Sequence, residues 1–492
     1  MRLNKKISLL LIIIAIITII PRGLEIFSSS NYFGSEQGVE YLATKSIVID
    51  HKIILTAHQG GFGGFFKPAG FNYLIAIPFI LAKGDPFGGR IFMFAISVLT
   101  VLFAFIFTKH MFNAKTAISV VFFLAISSNL SHYAGRISPP FVIPILTVFF
   151  IYSIFKICKK NHKFILLTAF ILGLMMNFEI ATSVVLFIEF FIILCIFCLK
   201  KIIPYRYLFF CIVILVFFIS PLLIYDVNHN SHNLNGIAKM LGSALNHAQN
   251  IFLNWSQIIT NRFSVFSWNY FSSITPQKLI SVPIFFLMYL GAFFYIKDKK
   301  IFIEHRLLML FIIISPILTF IMLLFYPGDI MQWWIIQLSI FYCYLIGIIV
   351  TYFWYRRIIF KILIFFFIST LFLAFISRTY TLYKQDFLFP PSAYIIENEP
   401  INYIYKDAKG KPFSILIYAS RALQNYEYLL WWYGTKYQNA PVKKSKKGTL
   451  YELIENSQDI QKKLDLLESL DNGTMVETKK LKYGFIVRKK IL

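Results

Sequence analysis

Apolar runs of bilayer length recur along this chain, separated by short polar stretches. The first, "ISLLLIIIAIITII", starts at Ile7. Others fall near residues 91–108, 116–131, 140–156, 163–177, 180–199, 207–225, 279–296, 303–325, 333–353 and 358–377. A membrane-spanning helix needs about 20 predominantly apolar residues, and these runs reach that length or fall a little short. With the first run they predict about eleven spans.

Charge sets the order of the loops. "MRLNKK" precedes the first run and no small-residue cleavage site follows in "PRGLEIF", so this run reads as an uncleaved helix with its N-terminus inside. The basic clusters "KHMFNAK" (109–115), "KICKKNHK" (156–163), "KKIIPYRY" (200–207), "KDKK" (297–300) and "YRR" (355–357) then lie on the cytoplasmic side. This parity holds only if "GFNYLIAIPFILA" (70–82) does not cross. A run of roughly 10–14 apolar residues is more often interfacial than spanning, so it is placed on the outer surface.

Exoplasmic loops are therefore expected at about 22–89 and 226–278, the latter a polar loop with helical patterning inside it. The transmembrane domain is predicted to occupy 1–377, and residues 378–492 to form a small exoplasmic α/β domain. There, "PSAYIIENEPINYIYKDA", "LQNYEYLLWWYGTKY" and "LYELIENSQDIQKKLDLLESL" read as helices and "KPFSILIYAS" as a buried strand. "TMVETKKLKYGFIVRKKIL" reads as a closing hairpin, and "PVKKSKKGT" as a basic, solvated loop.

Composition supports this class. The chain is 58% hydrophobic with a mean hydropathy of +0.68, more than a soluble protein of 492 residues carries. Its net charge of +25 reflects helix-anchoring Lys and Arg rather than a nucleic-acid surface. Acids say more. Of 23, twelve follow Arg378, so carboxylate chemistry in the membrane region must come from the other eleven. Three of these, Glu36, Glu40 and Asp50, crowd into "SEQGVEYLATKSIVIDHKIILTAHQGGFGGFFKPAG". The five cysteines lie in or beside apolar spans and read as buried thiols.

The order of parts resembles the GT-C superfamily of polyprenyl-phosphate-sugar-dependent glycosyltransferases. Within it, the likeness is to the family-39-like group that includes protein mannosyltransferases and lipid A aminoarabinose transferases. The resemblance rests on a first helix, a long outer loop with an early acid, "KP" leading into a short apolar segment, "GDPFGGR", a helix ending in "KHMFNAK", and "ISSNLSHYAGRISPP". It is good over about 1–160 and weaker beyond, while the tail looks like the C-terminal domain of bacterial members.

The resemblance implies a fold of about eleven transmembrane helices and an exoplasmic sugar transfer to an acceptor hydroxyl. Such chemistry benefits from a general base, and the departing phosphate needs cationic partners. "EQG" takes the place of the family's "DEG", which makes Glu36 the expected catalytic acid, with Glu40 one turn on as second choice. Glu36 reads equally as an ordinary acid at a helix start. Lys67 in "FFKPAG" occupies the family's "KPP" position and Arg136 in "HYAGRIS" its "YSR" position, both implied contacts to the donor phosphate or sugar. Their ordinary readings are interfacial snorkelling and helix anchoring. Glu179 in "MNFEIA" is kept as a substrate contact.

His132 is expected to pack, Glu189 to pair between helices, and His229 and His232 to be solvated. Asp226 and Asp329 stay open. The expected partners are a polyprenyl-phosphate-linked sugar donor, a lipid, glycan or protein acceptor and the plasma-membrane bilayer. No cofactor is expected, and a divalent metal stays open. Competing readings are a lipid-linked saccharide transporter, a polymerase or ligase acting on prenyl-linked sugars, and a non-catalytic relative. The absence of a visible repeat argues against the first, and the early loop and tail against the second.

Overall fold

The computed structural model describes residues 5–27, 32–59, 64–199, 203–275, 278–326, 329–384, 393–419, 423–439, 441, 448–455 and 474–492. In chain order the elements begin with α1 (Lys5–Phe27), α2 (Ser35–Val48), β1 (Thr56–Gln59), β2 (Phe66–Pro68) and α3 (Gly70–Leu81). Next come α4 (Pro86–Met111), α5 (Ala114–Ile126), α6 (Ser128–His132), α7 (Ile143–Cys158), α8 (Lys163–Phe178) and α9 (Ile180–Leu199). They are followed by α10 (Arg206–Asn228), α11 (His232–Ile274), α12 (Lys278–Lys297), α13 (Ile303–Leu324), α14 (Gln337–Trp354) and α15 (Ile358–Lys384). The C-terminal part holds α16 (Tyr394–Ala408), β3 (Phe413–Tyr418), α17 (Gln424–Lys436), β4 (Thr449–Ile454), β5 (Thr474–Lys480) and β6 (Ile486–Ile491).

Eight helices among the described residues are long and apolar enough to cross a membrane. The shorter apolar helices α5, α8 and α12 fall on the other three expected spans, and α3, with twelve residues, is the short apolar segment at 70–82. Two units form. The first comprises Met1–Ile26, Ile54–Leu74 and Arg90–Lys384, and the second Phe27–Ile53, Ile75–Gly89 and Gln385–Leu492.

In the first unit α14 is the central helix, with every residue from Gln337 to Ile349 buried. It packs on α5, α7, α11, α12, α13 and α15. Its closest neighbour is α5, and Gly347 makes that approach fit. A Cβ there would stand 2.7 Å from Val120 Cα and 2.8 Å from Val120 N, so only glycine suits this crossing. Local signals start the helices where the sequence suggests. Asn113 caps α5, its side-chain oxygen accepting from the Lys115 and Thr116 amides at 3.0 Å.

The polar loop expected at 226–278 is instead largely one 43-residue helix, α11. Asp226 explains its start, accepting from the first-turn amides of Asn233 at 2.7 Å and Leu234 at 2.9 Å. Apolar residues at helical spacing continue the pattern through the polar positions, and tertiary packing holds its C-terminal part. Phe266, Asn269, Tyr270 and Ser273 are buried there. Ser273 Oγ donates to Ser339 Oγ of α14 at 2.7 Å, which also accepts from Asn129 Nδ2 at 2.8 Å. Such polar seams join helices where no water competes.

The second unit joins α2 to the C-terminal elements. The sheet runs β3-β4-β6-β5, with β3 and β4 parallel and the other pairs antiparallel. β4 corrects the helix expected over "LYELI". Its local helix formers give way to six paired residues on β3 and a buried face. The rest of that expected helix (456–470) and most of the basic loop (442–447) lie outside the described residues.

α2 rests on α17 at backbone contact. A Cβ on Gly38 would stand 2.3 Å from Asn425 N. Around this contact, Tyr41 meets Phe33 at 5.8 Å and Tyr428 at 5.0 Å, both edge-on. Tyr428 Oη donates to the Gly84 carbonyl, and Trp432 Nε1 to that of Lys83 at 3.2 Å. Tyr394 Oη donates to Asp85 Oδ1 at 3.1 Å.

Candidate active site

The expected site residues divide between the two units. Glu36 and Glu40 belong to the second, and Lys67, Arg136 and Glu179 to the first.

Glu36 lies in the first turn of α2 and is exposed. An acid there is favoured by the helix dipole. The helix start is organised by Gln37, whose Oε1 accepts from the Gly34 amide at 3.0 Å, and by Ser35, whose Oγ donates to Gln424 Oε1 at 2.7 Å. Glu40 sits one turn on but in a different environment, only 2% exposed. Their spacing suggested one shared face, but the packing of α2 on α17 leaves Glu36 to solvent and buries Glu40. Beyond them, Lys45 pairs with Asp50 at 2.9 Å and lies 5.7 Å over the Trp431 ring. That hydrogen bond holds the Asp50 carboxyl below its usual value.

In the first unit Lys67 stands on β2, half-buried. Among the described residues its ammonium makes no ion pair or hydrogen bond, so it is available to an anion. Arg136 follows α6 and lies 5.5 Å over the Tyr133 ring, which stacks on Phe141 at 4.4 Å. Burial pushes the Tyr133 phenol up, and the Arg136 cation pulls it partly back. Glu179 occupies the break between α8 and α9, is 3% exposed and accepts from the Ala181 amide at 3.3 Å. Burial pushes the Tyr326 phenol up, with Arg262 opposing and Glu179 reinforcing, so these three groups share one electrostatic neighbourhood. Arg262 donates to the Leu323 and Tyr326 carbonyls at 3.2 and 2.9 Å, closing the C-terminus of α13.

One acid was passed over in the sequence. Glu25, at the end of α1 and 3% exposed, meets Arg378 Nη2 at 3.4 Å and His132 Nδ1 at 3.7 Å. His132, expected to pack, thus also faces a carboxylate. Nearby, Arg22 is fully buried and donates to the Leu124 and Ala125 carbonyls at the end of α5, at 2.9 and 3.1 Å. Nothing local marks Glu25, because Arg378 is 353 residues away. The available signal was an acid closing an apolar run, which demands a partner.

Glu189 is buried beside Ser315 of α13. Asp226 caps α11, and Asp329 is exposed and acts on Arg262 from a distance. Among the described residues no three His, Cys, Asp or Glu side chains form a metal-holding group. An apolar cavity of about 380 Å³ opens among α11, α12, α13 and α14, lined by aromatic residues that include Phe266, Tyr270, Phe285 and Phe320.

These features define a helical protein with eight helices, among the described residues, long and apolar enough to cross a membrane. The family described as dolichyl-phosphate-mannose-protein mannosyltransferase matches residues 66–225, a stretch containing Lys67, Arg136 and Glu179. No curated protein matches the chain by sequence. Two crystal structures of ArnT from Cupriavidus metallidurans share its fold. The form bound to undecaprenyl phosphate is 8% identical, with 98% of this chain and 97% of ArnT covered at a TM-score of 0.57. The apo form is also 8% identical, with 97% of each chain covered at 0.58. The chain has the GT-C fold, with a small C-terminal sheet domain, and is a multi-pass membrane protein.

Proposed function

We propose that this protein is an integral-membrane glycosyltransferase that moves a sugar from a polyprenyl-phosphate donor to an acceptor hydroxyl on the exoplasmic face. The observation that carries this reading is the family match over 66–225, which brackets Lys67 and Arg136, on a fold shared end to end with ArnT. That ArnT was crystallised with undecaprenyl phosphate supports a polyprenyl phosphate as the lipid. The apolar aromatic cavity of about 380 Å³ suits a stretch of prenyl chain.

In the reaction the acceptor oxygen attacks the anomeric carbon, and the bond from that carbon to the phosphate oxygen breaks. The phosphate leaves on its prenyl chain, and the acceptor proton passes to Glu36. Lys67 and Arg136 stabilise the charge that develops on the leaving phosphate, where pre-placed cations act most strongly. Glu179 contacts substrate. Charge parity puts the N-terminus in the cytoplasm, with the α2 acid and the C-terminal domain outside the plasma membrane. The reading calls for no cofactor.

Mass spectrometry of envelope glycans from cells with and without the gene tests this reading. A sugar that disappears with the gene and returns with the wild-type chain supports it. Identical glycans would favour a non-catalytic relative.

A further inference from the structure

Lys67 stands on a three-residue strand in a two-stranded hairpin. Isolated hairpins of this kind are marginal in water, so the groups that grip β2 decide where the Lys67 ammonium can reach. The grip comes from the end of α10 and the start of α11. The Phe66 amide donates to Asn233 Oδ1 at 2.6 Å. The His232 ring lies 5.2 Å from that of Phe66, and its Nε2 donates to the Gly64 carbonyl at 2.8 Å. Gln59 Nε2 donates to the same carbonyl at 2.7 Å, tying β1 to the same point. Tyr225 packs edge-on against Phe66 at 5.3 Å.

The gripping residues are themselves fixed. Asp226 holds the amides of Asn233 and Leu234, as described above. Tyr225 stacks on His229 at 3.9 Å, and His229 Nδ1 donates to the Tyr225 carbonyl at 2.8 Å. The histidines of "NHNSH", expected to be merely solvated, are therefore exposed but engaged. The contacts that grip the hairpin reach main-chain or ring atoms of residues 64 and 66, and none uses the Lys67 ammonium.

We propose that His232 and Asn233 are positioning residues that latch the β1–β2 hairpin to α11 and so aim Lys67 at the phosphate of a polyprenyl-phosphate ligand. The proposal rests on the reading of Lys67 as a phosphate contact and adds the device that holds it. Their contribution is to binding. Neither residue touches the reacting atoms, so loss of the latch raises the dissociation constant and the donor KM more than it lowers kcat.

The test titrates undecaprenyl phosphate into the purified full-length chain, comparing wild type, His232→Ala, His232→Gln, Lys67→Ala and the double variant His232→Ala/Lys67→Ala. His232→Ala should weaken binding roughly three- to tenfold, the usual worth of one hydrogen bond. His232→Gln, whose amide can donate to the Gly64 carbonyl, should recover most of it. In the Lys67→Ala background the histidine substitution should cost nothing further, because a latch acts only through the residue it aims. Hydrogen exchange at the Phe66 amide should quicken in His232→Ala with or without ligand.

Normal binding by His232→Ala beside weakened Lys67→Ala overturns the latch and leaves the phosphate reading standing. Additive losses in the double variant, or unchanged exchange at Phe66, also overturn it. Normal binding by Lys67→Ala removes the phosphate reading and the latch with it. If His232→Ala does not fold, Asn233→Ser carries the same cycle.

Discussion

The start of α2 and the β1–β2 hairpin each present one expected site residue, Glu36 and Lys67, yet they are held in opposite ways. α2 lies on α17 at backbone contact, with Gly38 against Asn425 and a cluster of tyrosines and phenylalanines around it. Among the described residues the hairpin has no comparable core. It depends on a few hydrogen bonds and two ring contacts from α10 and α11. Packing fixes the acid, and polar contacts fix the cation. Substitutions around α2 should therefore appear first as lost stability, and those around β2 first as lost affinity.

The largest effect is expected at the acid itself. Glu36→Gln keeps the side-chain shape, so donor binding and melting temperature should hold while turnover falls roughly 10²–10⁴-fold, the range for positioned acid–base catalysis. A helix-start acid without a catalytic role would lose a little stability and keep its turnover. Steady-state transfer assays beside melting curves separate the two.

Glu25 sharpens the comparison from the first unit. Removing one partner of a buried ion pair costs about 3–5 kcal/mol, and the partial exposure of Arg378 puts Glu25→Ala near the low end. Thermal unfolding in detergent should show the loss, and Arg378→Met added to Glu25→Ala should restore part of it. An unchanged melting temperature would mean that the pair is not structural.

Smaller losses are expected at the cations. Lys67→Ala and Arg136→Ala should each weaken donor binding by about 1.5–3 kcal/mol, the worth of a hydrogen bond to a charged group, with stability unchanged. Gly38→Val gives the counterpart in the second unit. Overpacking costs about 1–3 kcal/mol, and it should be read as a lower melting temperature with little change in binding. If Gly38→Val weakened binding as much as Lys67→Ala does, the division between packing and polar control would fail.

The sequence made most of the transmembrane architecture legible, because an apolar run of bilayer length has few other uses. α11 was harder to read. Its "NHNSHNLNGIAKMLGSALNHAQN" carries the Asn, Gly and Ser of a loop, and the helix depends on the Asp226 cap and packing against α14. "LYELI" misled in the opposite sense, since parallel pairing with β3 outweighed local propensity. At the site, residue types were readable and environments were not. Glu36 and Glu40 look alike at one-turn spacing, and only the contact with α17 separates them. Glu25 and the grip on β2 depend on partners far along the chain, which periodicity does not register.

The most direct measurement follows a donor labelled in its sugar, a polyprenyl-phosphate hexose or pentose drawn from the source membranes, with the purified chain and a membrane extract as acceptor. The account predicts that labelled sugar moves to the acceptor fraction while an equal amount of free polyprenyl phosphate appears, and that Glu36→Gln stops both. Intact donor after incubation across the full set of donors and acceptors, with a folded wild-type chain that binds undecaprenyl phosphate, would contradict it.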